Sequence, residues 1–164
     1  MHGRIFVIDT YKGIQYRGGL YELPWEPWEM REWIPGCDYV TETEDFEEDC
    51  LWLADIYELQ NNSGFVLYED ENFGERKLFQ IELEPFTRAL QQNKQKRIEE
   101  VKAEIFKPNP DMWRIKHCAW DSMFWFVWEG HFEPEMGLLE HLLWLKKKKK
   151  DTKILITESY DYHS

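Results

Sequence analysis

The chain has 164 residues, 43% of them hydrophobic and 16% aromatic. That excludes a disordered or low-complexity chain and suffices for one domain with its own core. No apolar run approaches the roughly 18 residues of a membrane span, and three cysteines make no disulfide framework, so a reducing, cytoplasmic setting is expected. The net charge of −12 disfavours direct contact with nucleic-acid phosphates.

In chain order, Ile5–Asp9 reads as a strand ending in a turn at Lys12-Gly13, with too short an apolar stretch for a signal peptide. Ile14–Leu23 reads as a second strand with a bulge at Gly18-Gly19. Two prolines bar Pro24–Glu29 from a central strand and predict a loop or short helical turn running into Met30–Ile34, broken at Pro35-Gly36. Thr43 followed by Glu44, Asp45, Glu47, Glu48 and Asp49 predicts a helix start. Phe46, Cys50, Leu53 and Tyr57 form its apolar face, and Asn61–Gly64 form its end.

Phe65–Tyr68 and Lys77–Leu83 alternate around a polar tip, Asp70–Gly74, and predict a hairpin. Pro85 in a first turn opens a second helix, carrying Phe86, Leu90, Ile98, Val101 and Ile105, with a wholly polar stretch at Gln91–Arg97 where it is exposed or broken. Met112–Cys118 and Met123–Trp128 read as strands that send several of Trp113, Phe124, Phe126 and Trp128 into an aromatic core. Pro134–Leu145 predicts a third helix, and Lys153–Thr157 a last strand. The expected architecture is a single α+β domain over residues 1–164, a largely antiparallel sheet with about three helices packed on one face.

Charge is concentrated. Residues 20–75 carry 17 acidic side chains against one basic residue, Arg31. The same segment holds Trp25, Trp28, Trp33 and Trp52. Glu26, Glu29 and Glu32 lie three apart, a spacing that aligns them along one side of a helical turn. If this stretch packs beside the helix start at Glu44, Asp45, Glu47 and Glu48, the two form one negative surface with tryptophan at its centre. Such a surface would capture a basic protein partner and steer its encounter. The competing reading distributes the charges around the domain as a solvated coat. The leading expectation is therefore a non-enzymatic interaction module or inhibitor, with the physical character of toxin-immunity proteins or nucleic-acid mimics. A homo-oligomer built through its tryptophans is a further reading.

The enzyme alternative rests on His117, Cys118, Asp121 and His131, a small hydrolase or metal-dependent set. Neither paired CxxC nor HExxH spacing is present, and on a strand His117 and Cys118 would point to opposite faces, so no metal or cofactor is expected. Acids around Cys37 and Cys50 disfavour a thiolate nucleophile at either. Asp70–Glu75 fails the calcium-loop pattern, because position six is Glu75 and not glycine. Lys146–Lys150 reads as a solvated helix end that complements the helix dipole, or as a patch that relieves the acidic block.

Overall fold

Alternation along the first strand sorts the interior into two layers. In the computed structural model, which describes residues 2–72, 74–148 and 151–164, β1 (His2–Asp9) turns Phe6 and Ile8 to one face and Ile5 and Val7 to the other. Six further strands join it in one sheet among the described residues: β2 (Tyr39–Glu42), β3 (Ser63–Asp70), β4 (Gly74–Glu82), β5 (Phe124–Trp128), β6 (His131–Pro134) and β7 (Lys153–His163). The order is β3-β4-β7-β1-β5-β6, and β2 lies beside the far half of β7. Pairing is antiparallel except between β1 and β5, which run parallel in the register Arg4↔Phe124 to Val7↔Val127. The sheet is therefore mixed and mostly antiparallel.

Six α-helices are described, where about three were expected: α1 (Tyr11–Arg17), α2 (Pro27–Met30), α3 (Phe46–Ile56), α4 (Leu83–Ile105), α5 (Met112–Trp120) and α6 (Glu135–Lys148). On one face α3, α4 and α6 deliver Cys50, Leu53, Phe86, Leu90, Leu138 and Leu142 onto Phe6, Phe124, Phe126 and Ile156. On the other face α2 and its flanks deliver Met30 and Ile34 onto Ile5, Val7 and Val127. No helix among the described residues is long and apolar enough to cross a membrane.

Two expected strands are not strands: Ile14–Leu23 is helical to Arg17 and irregular beyond it, and Met112–Cys118 is helical throughout. Residues 11–17 fold as α1 because the Thr10 hydroxyl accepts from Gly13 N at 3.0 Å and Gly18 closes the last turn at φ 78°. Gly18 is thus a helix cap and not a strand bulge. Residues 112–120 fold as α5 because the Asp111 carboxylate accepts from Trp113 N and Arg114 N at 2.9 and 3.1 Å. Trp113 accordingly leaves the expected core and is 71% exposed, while Phe124 and Phe126 are fully buried.

The polar stretch within α4 does not interrupt it. The cap of α3 is Asp45, accepting from Glu48 N at 2.9 Å, and not Thr43. That helix ends at Ile56, with Glu58 just beyond it at φ 55°, earlier than Asn61–Gly64. Of the hairpin tip Phe73 lies outside the described residues, as do Lys149 and Lys150 of the lysine run. Within that run, Lys146 reaches Glu84 on α4 at 2.6 Å and not the acidic block.

Candidate functional site

The acidic, tryptophan-rich block divides at β2, where the chain passes from one face of the sheet to the other. On the first side, α2 and the 3-10 turn Arg31–Trp33 hold an aromatic row. Trp25 meets Trp33 edge-on at 4.6 Å, Trp33 meets Phe132 of β6 at 5.3 Å, and Phe132 stacks on Trp125 at 5.3 Å. Trp28 stands off this row, 59% exposed, and Trp33 is 41% exposed. Glu26 and Glu32 are exposed beside them. Glu29 is half-buried and structural, its Oε2 accepting from Glu26 N at 2.8 Å and fixing the first turn of α2.

Glu44, Asp45, Glu47 and Glu48 lie instead at the start of α3, whose buried side packs on the opposite face. The expected single surface, with both stretches side by side, is not formed. Asp45 is engaged as a cap, and Glu47 pairs with Lys77 at 2.5 Å. Asp49 is buried, accepting from Arg4 Nε at 2.5 Å and from Ser159 Oγ at 2.8 Å. Glu44 and Glu48 remain exposed and form no ion pair among the described residues.

Of the residues of the enzyme alternative, His117 and Asp121 meet, whereas His131 stands on a different element. His117 stacks on Trp113 with ring centres 5.1 Å apart and pairs through Nδ1 with Asp121, all on or at the end of α5. Because α5 is a helix, the expectation of opposite strand faces for His117 and Cys118 falls away. His131 sits on β6 against Trp128. Among the described residues no three His, Cys, Asp or Glu side chains cluster as metal ligands. Burial first, and Asp49 and Glu47 second, push the Cys50 thiol far above the usual range.

Three clusters were not read from the sequence. At the end of β1, Asp9 is 6% exposed and saturated with donors. Its carboxylate accepts from Thr10 N at 2.8 Å, from Tyr21 N at 2.9 Å and from Arg17 Nη2 through both oxygens. Arg17 also reaches Glu129 at 3.1 Å and lies over the Tyr21 ring. Gly13 permits this packing, since a Cβ there would meet Asp9 Oδ1 at 2.9 Å.

Second, Glu135 at the start of α6 is buried, accepts from Asn93 Nδ2 at 2.8 Å and lies 3.7 Å from Arg97. Burial raises its carboxyl above the ordinary value despite Arg97. The Tyr57 hydroxyl is enclosed beside it, and burial first, then the Glu135 charge, push it well above the ordinary phenol range.

Third, four rings stand nearly parallel in a row: His131, Trp128, His141 and Trp144, with centres 5.5, 4.6 and 6.0 Å apart. Burial, then the neighbouring His131, pushes the His141 imidazole down to about 4, so it is neutral at pH 7. The turn between β5 and β6, Glu129-Gly130, is left-handed at both residues, with φ 42° and 83°. An x-Gly pair between aromatic residues was the available signal for this hairpin.

Compared with protein-family models, with curated proteins and with solved structures, the chain matches none of them.

Proposed function

We propose that this protein is an interaction module, of the inhibitor type in physical character, that binds a basic partner protein through the surface of α2 and the turn after it. The supporting observation is the aromatic row Trp25–Trp33–Phe132–Trp125, held on the sheet, with Trp28 and Trp33 facing solvent and Glu26 and Glu32 beside them. Rigid, half-exposed tryptophans supply contact area at low entropic cost, and rim carboxylates accelerate capture of a positive surface. Glu44 and Glu48, on the other face, contribute only to the long-range field.

The test is capture from a lysate of the source cells by the immobilised protein. A basic protein should be retained by the wild type, released by salt, lost with Trp28→Ala and retained more weakly with Glu32→Lys. Glu26 and Glu29 are left intact because together they form the capping box that starts α2. Retention that is indifferent to these variants and to salt would reduce the acidic face to a solubility coat.

A second reading is self-association, favoured by the exposed apolar residues where α4 meets α5. Phe106 is 85%, Trp113 71% and Met112 70% exposed. Light scattering at rising concentration should show an oligomer that Trp113→Ser disperses.

A further inference from the structure

We infer that the cleft between α6 and the β5–β6 hairpin is a binding site for a guanidinium group. The cleft holds about 410 Å³ and is walled by the rings of Trp128, His131, His141 and Trp144. Around those rings stand three carboxylates, Glu129, Glu133 and Glu140, and no lysine or arginine lines it among the described residues. Glu129 is held by Arg17 from outside, whereas Glu133 and Glu140 form no ion pair among the described residues. Glu133 lies close against α6 because Gly137 has no side chain; a Cβ there would come within 2.6 Å of Glu133 Oε2.

These features select the ligand by elimination. An anion would meet three carboxylates. An uncharged apolar group would strip water from Glu133 and Glu140 without replacing it. A compact ammonium is strongly hydrated and gains less from an aromatic face than a planar guanidinium does. A guanidinium is planar and weakly hydrated, stacks on aromatic faces and offers forked N–H donors to carboxylates. The neutral imidazole of His141 adds no repulsion.

The protein already holds its own guanidinium groups this way twice. Arg4 lies 5.4 Å from the Trp52 ring centre and bonds to Asp49 and Asp161. Arg17 lies 5.7 Å from the Tyr21 ring centre and bonds to Asp9 and Glu129. The cleft likewise brings rings and carboxylates together, and no arginine lines it among the described residues. That ligand is either a small free guanidine or an arginine side chain of another protein. The site is separate from the surface of α2, so its occupation does not depend on that surface.

The experiment is a titration followed by tryptophan fluorescence and calorimetry. The probes are agmatine, N-acetyl-arginine amide, a short arginine-containing peptide and, as control, N-acetyl-lysine amide. Saturable binding of the guanidines is expected, at least about tenfold tighter than that of the lysine analogue, a difference of about 1.4 kcal/mol. Glu140→Gln, an exposed position that does not endanger the fold, and Glu133→Gln should each weaken it several-fold, and Trp144→Leu should reduce the fluorescence change. Binding of agmatine identifies a free guanidine as a sufficient ligand. Binding of the peptide alone identifies a side chain as the source. No saturable binding of any guanidine, equal binding of the lysine analogue, or indifference to both glutamine variants would overturn the assignment, and none of these results would touch partner capture through Trp28.

Discussion

Single residues whose backbone is left-handed show how local chemistry sets stability here. Gly18 takes φ 78°, and a β-carbon added to it would meet nothing within 4 Å, so Gly18→Ala costs only the backbone penalty, about 1 kcal/mol. Glu58 occupies the same region at φ 55°, where its own Cβ incurs that penalty. Glu58→Gly should therefore raise stability by about 0.5–1 kcal/mol, and urea unfolding of the two variants should move in opposite directions.

His141 gives the pH counterpart. Its ordinary value is 6.5 and burial lowers it to about 4 in the fold, so between those values the unfolded chain binds more protons than the folded one. Stability is complete above pH 6.5 and falls as the pH drops toward 4. With a discount for partial exposure, the loss is about 2 kcal/mol. His141→Phe keeps the ring row without the titration and should flatten that acid limb of the stability curve. Neither signal was legible beforehand, because a glutamate after a helix and a histidine on a helix look ordinary until the backbone angle and the stacking rings are known.

At the scale of elements, the longer strands and the long helices were legible, as was the helical turn at α2, whereas the short strands β2 and β6 and the helices α1 and α5 were not. Ile5–Asp9, the β3–β4 hairpin, α4 and α6 declare themselves because buried alternation or a buried stripe dominates their sequence. In α1 only Ile14 is buried, so no helical stripe exists, and the real signals were Thr10 and Gly18, one cap at each end. In α5 the cap, Asp111, was likewise the informative residue. Its hydrophobic residues suggested a strand because Met112 and Trp113 are large and apolar, yet they are exposed. None of the described side chains of α5 is buried, so its stability depends on its cap and on α4. Amide exchange should show α5 opening before α4 and α6. Asp111→Ala should speed exchange in α5 by roughly fivefold, the equivalent of about 1 kcal/mol, while the global unfolding midpoint stays where it is. Unchanged exchange would mean that packing on α4, and not the cap, holds the helix.

For the molecule as a whole, the decisive question about the acidic block was whether adjacency in sequence becomes adjacency on the surface. It does not, because β2 carries the chain across the sheet between Glu32 and Glu44, an event that composition cannot reveal. Its acids have several fates. Asp49 is neutralised in the interior by Arg4, Asp45 and Glu29 serve as helix-end hydrogen-bond acceptors, and others such as Glu26, Glu32, Glu44 and Glu48 remain exposed. At a net charge of −12 the last group repels itself across the whole surface. Salt acts unequally on these terms. The pairs of Arg4 with Asp49 and of Arg17 with Asp9 are largely enclosed and are screened little. Exposed pairs such as Lys77–Glu47 contribute little at any salt concentration. The long-range repulsion, acting beyond the Debye length of about 8 Å at 0.15 M, is screened most. Raising salt from a few millimolar to about 0.15 M should therefore raise Tm by about 2–4 °C, corresponding to about 1 kcal/mol for a chain of this size. Glu32→Gln plus Glu44→Gln should capture part of that gain at low salt and reduce the rest. A Tm that falls with salt would show that exposed ion pairs outweigh repulsion, and the acids would then have to be arranged in compensated groups and not as a free negative coat.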